Sequence, residues 1–292
     1  MDIAGPEILT PAWPEYSLLD SGGRRKLERF GDTVLIRGEP KAWWRAGEAS
    51  DWRQAVAEIK DAGGNWRLRG KADPERQWGL SYGNVRLEAR LTDRSKHVGV
   101  FPEQEPHWRW LDERLRRRRR PRVLNLFGYT GAASLVAAVA GAEVTHVDAS
   151  KPALSWARHN QALSGLEDAP IRWLLDDAFK FVAREIRRGR RYDGILLDPP
   201  SFGRGPKGEI WKVENQLGPL IGNLARLLRP GGLLVLTLYN LEASSLMLSN
   251  LLRDHLEGGR LQFGELALRE DSKDRFLPLS LYARWEGENG KD

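Results

Sequence analysis

The chain has 292 residues, 41% of them hydrophobic, no cysteine and a formal net charge of +6, with a mean hydropathy of −0.52. This is more than one average domain with ample apolar material for a core, so two domains are the default expectation. The missing cysteines exclude disulfides, thiolate metal sites and thiol nucleophiles, and five scattered histidines lack metal-ligand spacing, so no metal is expected.

The opening MDIAGPEILTPAWPEYSLLD has no basic stretch followed by an apolar one. No later apolar run approaches the roughly 20 residues that a bilayer-spanning helix needs, so no membrane contact and a cytoplasmic location are expected. Charge is uneven along the chain. Residues 1–122 carry 25 Lys+Arg against 19 Asp+Glu, and 123–292 carry 21 of each. The front part is therefore the candidate surface for a polyanion.

From about residue 16 to 101 the texture has period two: RKLERF, TVLIRG, NWRLRG and VRLEARL alternate apolar with charged positions between glycine-rich turns, which predicts half-exposed strands. One helix is expected among them, with Ser50 as N-cap, Trp52, Ala55, Val56 and Ile59 on one face, and Gly63-Gly64 as its stop. Half of the 12 tryptophans lie in this stretch or just before it (Trp13, Trp43, Trp44, Trp52, Trp66, Trp78), most as core, with one or two placed to stack on bases. A small β-rich domain over 1–105 follows, a candidate for facing RNA or substrate. Residues 106–122 form a basic linker or helix containing RLRRRRRPR. That run reads either as a solvated helix end, since cations favour helix C-termini, or as a contact for phosphates.

After Arg122 strands and helices alternate: VLNLF, a helix AASLVAAVA, EVTHVD, a helix KPALSWARHNQAL with Pro152 in its first turn, IRWLL, a helix DDAFKFVAREIRRG, YDGILLD, a helix through LGPLIGNLARLL, LLVLTLYN, a helix EASSLMLSNLLRDHL, and final strands near RLQFGELAL and LSLYARW. The pattern predicts an α/β domain over 123–292, a Rossmann-like doubly wound sheet that is mainly parallel. Its ligand belongs beyond the carboxyl ends of the strands.

Three motifs fall there. The first βα turn is Phe127-Gly128-Tyr129-Thr130-Gly131, where glycines let the backbone bend and a ligand approach. Its G-x-x-G spacing differs from the G-x-G-x-x-G of dinucleotide folds, which disfavours a nicotinamide cofactor. Asp148, followed by Ala149, ends the second strand, where a carboxylate can accept both hydroxyls of a ribose. At the end of the third strand, Asp176, Asp177 and Ala178 offer an acid and an apolar face to an adenine, although the same residues also suit a helix N-cap. The most specific stretch is ILLDPPSFGRGPKGEIWK. An apolar strand delivers Asp198, and Pro199 and Pro200 hold an extended turn, so that carboxylate and carbonyls face one place. Phe202 adds a flat apolar face. Acceptors beside an aromatic wall suit an exocyclic amine of a nucleobase.

These motifs, in this order, resemble class I S-adenosylmethionine-dependent methyltransferases over about 120–287. Within that class the chain is similar to the bacterial 23S (large-subunit) rRNA methyltransferase-like family, on NLFGYTG, VDASKPAL, DDAFKF, DPPSFGRGPKGEIWK and the upstream HVGVFPEQ. The resemblance implies S-adenosylmethionine as cofactor. Its methionine part would lie on 127–131, its ribose on Asp148 beside Ala149 and its adenine on Asp176 or Asp177 with Ala178. Asp198 would border both cofactor and target, the target lying at Asp198, Pro199, Pro200 and Phe202. In amino-methylating enzymes the aromatic directly follows the second proline, whereas Ser201 intervenes here.

The resulting expectation is direct methyl transfer to a base nitrogen of RNA, and of ribosomal RNA in particular. A thiolate would be needed to activate pyrimidine C5, and the chain has none. Two other readings stay beside it, a small-molecule methyltransferase, because +6 is modest for an RNA enzyme, and a non-catalytic RNA-binding protein on a relic cofactor fold.

Overall fold

A computed structural model of the chain describes residues 1–289 apart from 61–62, 71–72, 74–75, 94 and 240. It divides into two compact units. The larger comprises Met1–Leu9, His107–Leu266 and the chain from Ser280 on, and the smaller Thr10–Pro106 and Ala267–Leu279.

The larger unit is built on one sheet. Its strands are β1 (Asp2–Leu9), β9 (Arg122–Leu126), β10 (Glu143–Asp148), β11 (Ile171–Leu175), β12 (Tyr192–Leu197), β15 (Leu228–Tyr239), β16 (Arg260–Arg269) and β17 (Phe276–Glu286), in spatial order β1-β16-β17-β15-β12-β9-β10-β11. Strands β9, β10, β11, β12 and β15 run parallel, and β17 is antiparallel to β15. The central strands are buried on both faces, which is why they read as unbroken apolar runs. Alternate residues feed two cores. Leu124, Leu126, Ile195, Leu197, Leu234 and Leu236 meet helices α5 (Ala178–Arg187), α6 (Val213–Ala225) and α7 (Ser245–Arg253). Val123, Leu196, Leu233 and Val235 meet α2 (Glu105–Leu115) and α3 (Ala132–Val139). Helix α4 (Lys151–Leu163) begins at a Ser150 N-cap whose hydroxyl accepts from the Ala153 N–H, with Pro152 in the first turn. Among the described residues no helix is long and apolar enough to cross a membrane.

Two boundaries differ from the contiguous division read in the sequence. Residues 2–9 pair in parallel with β16 and so complete the larger sheet. Of the two readings of 106–122, linker or helix, the helix holds up to Leu115, where α2 is packed on the sheet by Trp110, Leu111 and Leu115. An apolar stripe beneath the charges decides this, since the cations themselves stay in water.

The smaller unit has a five-stranded sheet, β2 (Tyr16–Gly22), β3 (Arg25–Phe30), β4 (Thr33–Gly38), β5 (Ala57–Ile59) and β6 (Arg67–Leu68), and a hairpin of β7 (Gln77–Tyr82) and β8 (Val85–Arg90). The expected helix from Ser50 to Ile59 shrinks to α1 (Ala49–Trp52), and the side chain of Ser50 lies outside the described residues. Ala57–Ile59 is instead a strand parallel to β4, buried at all three positions. The open edge of β4 offers backbone partners, taken up where the Val56 N–H donates to the Val34 carbonyl at 2.9 Å. Strand β8 alternates as expected, but β2, β3 and β4 are mostly buried rather than half-exposed. Lys26, Glu28 and Arg37 are buried. Arg37 donates to both oxygens of Glu28 at 2.6 and 2.7 Å, the Tyr16 hydroxyl donates to Glu28 at 2.8 Å, and Lys26 stands 3.4 Å from Glu28 and 3.6 Å from Glu39. Burial alone raises the Glu28 carboxyl. The Arg37 and Lys26 charges and the hydrogen bonds from Arg37 and Tyr16 outweigh it and hold the group at about 2. Charges at alternate positions therefore entered the interior as a paired network.

Candidate active site at the carboxyl edge of the sheet

Four neighbouring strands, β12, β9, β10 and β11, bring their carboxyl ends to one edge, and the three candidate ligand motifs of the sequence leave the sheet there. Leu126 is in register with Leu197 on one side and Val147 on the other, and Asp148 with Leu175. Adjacent strands lie about 4.8 Å apart, so the chain ends beyond them share a single crevice. Strand order reverses beside β9, where such a fold binds its ligand.

The turn after β9 is tightly made. Phe127 and Tyr129 have φ of 56° and 51°, a left-handed conformation that non-glycine residues seldom adopt, and Gly131 follows at 87°. Tyr129 N–H donates to Asp148 at 2.8 Å, Gly131 N–H to the Gly128 carbonyl at 3.1 Å, and the Asn160 side chain to the Thr130 carbonyl at 3.0 Å. A Cβ on Gly128 would stand 2.3 Å from the His146 ring, and one on Gly131 would stand 2.9 Å from Trp173. Both glycines are therefore demanded by what lies beneath them. His146 is fully buried, and burial lowers its imidazole to about 3, so it is neutral. Its Nδ1 is 3.0 Å from the Ser134 hydroxyl, which also accepts from Asn125 at 2.9 Å.

Asp148 is half-buried, and burial raises its carboxyl, opposed by backbone N–H groups of Ser150, Tyr129 and Ala149. Ser150 N–H donates to one oxygen and Tyr129 N–H to the other, each at 2.8 Å. The carboxylate keeps accepting capacity for a ribose hydroxyl. Asp176 takes the Arg184 guanidinium and its own neighbour's N–H, while Asp177 caps α5 by accepting from Lys180 N–H at 2.8 Å. The capping role read as an alternative for this segment thus belongs to Asp177. Ala178 is buried at the start of α5. This donor and acceptor set fits a nucleoside: a carboxylate with accepting capacity at the second strand, acids and an apolar wall at the third, and a strained glycine turn between them and β12.

Beyond β12, Asp198 is half-buried, Pro199 buried and Pro200 exposed. The Trp211 indole N–H donates to the Pro200 carbonyl at 2.6 Å, so that carbonyl is already engaged. Phe202 opens a short hairpin of β13 (Phe202–Arg204) and β14 (Ile210–Lys212) and is exposed. Trp211 was not singled out in the sequence. It is buried and its ring lies 5.1 Å from that of Phe127, so one side chain links the glycine turn to the Asp-Pro-Pro turn. Only its place in GEIWK, an aromatic between exposed neighbours, hinted at it. Nor were His146 and Trp173, which a strand pattern alone marks as ordinary interior residues.

The arginine run lies elsewhere. Helix α2 ends at Leu115. Arg118 donates to the carbonyls of Asp193 and Gly231, Arg116 pairs with Asp112 at 2.8 Å, and Arg120 pairs with Glu143 at 2.8 Å. Asp193 and Glu143 stand at the starts of β12 and β10, so the run occupies the edge opposite the motifs. Residues 107–122 hold eight Lys+Arg and two Asp+Glu, an excess that equals the chain's whole net charge. No group of His, Asp and Glu able to hold a metal is present among the described residues.

A mainly parallel sheet with one antiparallel strand, whose carboxyl edge carries a glycine turn, an acid at the end of the neighbouring strand and an Asp-Pro-Pro turn, has the architecture of the class I methyltransferases. The model of the S-adenosylmethionine-dependent methyltransferase family matches residues 43–258. The chain belongs to that family, and its cofactor is S-adenosylmethionine. A crystal structure of the SAM-dependent methyltransferase from Agrobacterium tumefaciens is similar at 45% identity and a TM-score of 0.94, covering 98% of this chain and 95% of that one. Ribosomal RNA large subunit methyltransferase K/L from Shewanella frigidimarina is 37% identical over 115 residues, 39% of this chain and 16% of the relative. The Shewanella baltica protein of the same name is 39% identical over 134 residues, 43% and 18% respectively. The chain thus spans less than a fifth of the length of these curated relatives.

Proposed function

We propose that this methyltransferase acts on a base nitrogen of ribosomal RNA in the cytoplasm, with guanine N2 or adenine N6 as the receiving atom. The observation that carries the reading is the Asp198 turn: half-buried Asp198 and buried Pro199 follow β12 at the edge shared with the glycine turn, while Trp211 engages the Pro200 carbonyl, which leaves Asp198 and the Pro199 carbonyl as the acceptors of this reading. An exocyclic amine has two protons for two acceptors, and its lone pair is then directed away from them. The large-subunit rRNA methyltransferases among the relatives support an RNA acceptor.

In this reading residues 127–131 hold the methionine part of the cofactor, and Asp148 beside Ala149 accepts from the ribose hydroxyls. The segment Asp176, Asp177 and Ala178 borders the adenine, and Asp198 lies between cofactor and target. Phe202 stacks on the target base. When bound, S-adenosylmethionine would supply an electrophilic methyl group on its sulfonium, with S-adenosylhomocysteine as the leaving group. Asp198 and Pro199 orient the amine, and its proton leaves to Asp198 or to water. The chain's contribution is placement in the crevice.

A small-molecule acceptor is the second reading, favoured by the place of the arginine run away from this edge. Mass spectrometry of nucleosides from rRNA of a deletion strain and its complemented parent decides between them. A methylated guanosine or adenosine lost on deletion and restored on complementation supports the RNA reading, and unchanged rRNA refutes it. Finding 5-methylcytidine or 5-methyluridine as the lost product would overturn the nitrogen assignment.

A further inference from the structure

The hairpin that follows the Asp-Pro-Pro turn has a sided character that methyl transfer to a small acceptor does not require. Its register pairs Phe202 with Lys212, Gly203 with Trp211 and Arg204 with Ile210. Side chains at alternate positions share a face, so Phe202, Arg204, Ile210 and Lys212 stand together on one side and Trp211 on the other. All four on the first side are exposed, with Phe202 at 53% and Ile210 at 57%. Two large apolar side chains thus share one exposed face of a six-residue ladder.

The hairpin is also rigid. Trp211 anchors its inner face to the Pro200 carbonyl and to the Phe127 ring. The loop 205–209 is closed by Gly205 N–H to the Glu209 carbonyl at 2.8 Å and Gly208 N–H to the Gly205 carbonyl at 3.0 Å, and Val213 N–H returns to the Ser201 carbonyl at 3.1 Å. Charge names the occupant. Arg204, Lys207 and Lys212 are exposed and enter no ion pair among the described residues, whereas the one acid of the loop, Glu209, is taken by Lys180 at 2.6 Å. An apolar and aromatic strip edged by three available cations matches a strand with flat bases and a phosphate backbone.

We propose that the outer face of the β13–β14 hairpin is an RNA platform, on which the single-stranded nucleotides flanking the target base lie against Ile210 while Arg204, Lys207 and Lys212 meet their phosphates. The platform rests on the reading of an RNA acceptor and adds to it the element that selects an unpaired strand. Because it starts four residues after Asp198, bases held on it place their neighbour at the acceptor pair.

The test uses the full chain and a labelled 20-nucleotide single-stranded oligoribonucleotide of mixed sequence. Arg204→Ser/Lys207→Ser/Lys212→Ser is expected to bind it at least 10-fold more weakly at low salt, and to flatten the dependence of log affinity on log salt by about 2, at roughly 0.7 per phosphate contact. Ile210→Ser is expected to weaken binding 5-fold or more with the slope unchanged, because stacking carries no counterions. Affinity for S-adenosylhomocysteine should stay at the wild-type value in both, which also reports that they fold. Wild-type oligonucleotide binding in both variants would overturn the platform, as would a wild-type protein that does not bind the oligonucleotide, the result expected if an acidic protein covers the face. Methylation of unmodified large-subunit rRNA separates the two claims. If the wild type methylates it and the variants bind the oligonucleotide normally, only the platform falls. If the variants lose binding and the wild type leaves rRNA unmodified, only the acceptor assignment falls.

Discussion

Gly128 and His146 face each other across a gap that admits no Cβ, and this contact sets what the glycine turn tolerates. Gly128→Ala is expected to lower stability by about 1–3 kcal/mol, as overpacking does, and to weaken S-adenosylhomocysteine binding by shifting the turn. Adding His146→Ala should return part of the loss, because the new methyl then has room, and a double-mutant cycle by thermal unfolding measures the coupling. Asp148 acts differently. In the proposed site its removal would leave cofactor hydroxyls unpaired, so Asp148→Ala should weaken S-adenosylhomocysteine by about 1–3 kcal/mol in calorimetry. Asp198→Ala should instead cut turnover by about 10²-fold or more while leaving that affinity nearly unchanged. The glycines and the acids were legible as residue types at given spacings. The His146 floor was not, because nothing in EVTHVD tells which strand neighbour a side chain will meet.

Among elements, the arginine run divides into two classes that its sequence does not distinguish. Arg118 holds two carbonyls of the sheet's amino edge, and Arg116 and Arg120 pair with acids, while Arg117 and Arg119 are exposed and unpaired among the described residues. Arg118→Ala should therefore destabilise the protein by about 1–3 kcal/mol in chemical denaturation, the scale for hydrogen bonds from a charged group. Arg117→Ser/Arg119→Ser should leave stability within about 0.5 kcal/mol of wild type. A strand of six residues is about 20 Å long, so RNA seated at Asp198 reaches these arginines only by passing around the sheet. The hairpin β13–β14 was hidden in the sequence for a different reason: strands of three residues, one of them centred on a glycine, carry too few alternations to show a period.

For the whole molecule, acid sensitivity follows from three neutral histidines. Burial lowers His146 to about 3 and His97 to about 4, the latter aided by the Arg37, Lys96 and Lys26 charges. It also lowers His107 well below its ordinary value, aided by Arg284. Below the ordinary 6.5 the unfolded chain takes up protons that the folded chain refuses, so stability falls with pH down to about 3–4, by about 1.4 kcal/mol per pH unit for each histidine. Glu28 adds a later loss. Its lowered carboxyl contributes stability that is present above its ordinary range and disappears as pH falls towards about 2. Urea denaturation between pH 8 and pH 4 should show this decline beginning near 6.5, and a flat profile down to pH 5 would contradict it. Glu28→Gln should cost about 3–5 kcal/mol at pH 7, because Arg37 would be left buried without its counter-charge.

Outside the β13–β14 hairpin, helix and strand identity in residues 122–286 followed from the sequence because each central strand is buried on both faces, and its apolar run admits no other solution. The family motifs lie where those strands end, so the edge that bears them was fixed along with the strands. In the smaller unit the same reasoning failed at Lys26, Glu28, Arg37 and the stretch from Ala55 to Ile59. A charge at an alternate position is solvated unless a partner from another strand meets it, and a short apolar segment becomes helix or strand according to the edge it finds. Those partners are distant in the chain, so only tertiary structure decides them. The same holds for the arginine run: local sequence made it basic, and the strand starts at Glu143 and Asp193 determined which edge of the sheet it would occupy.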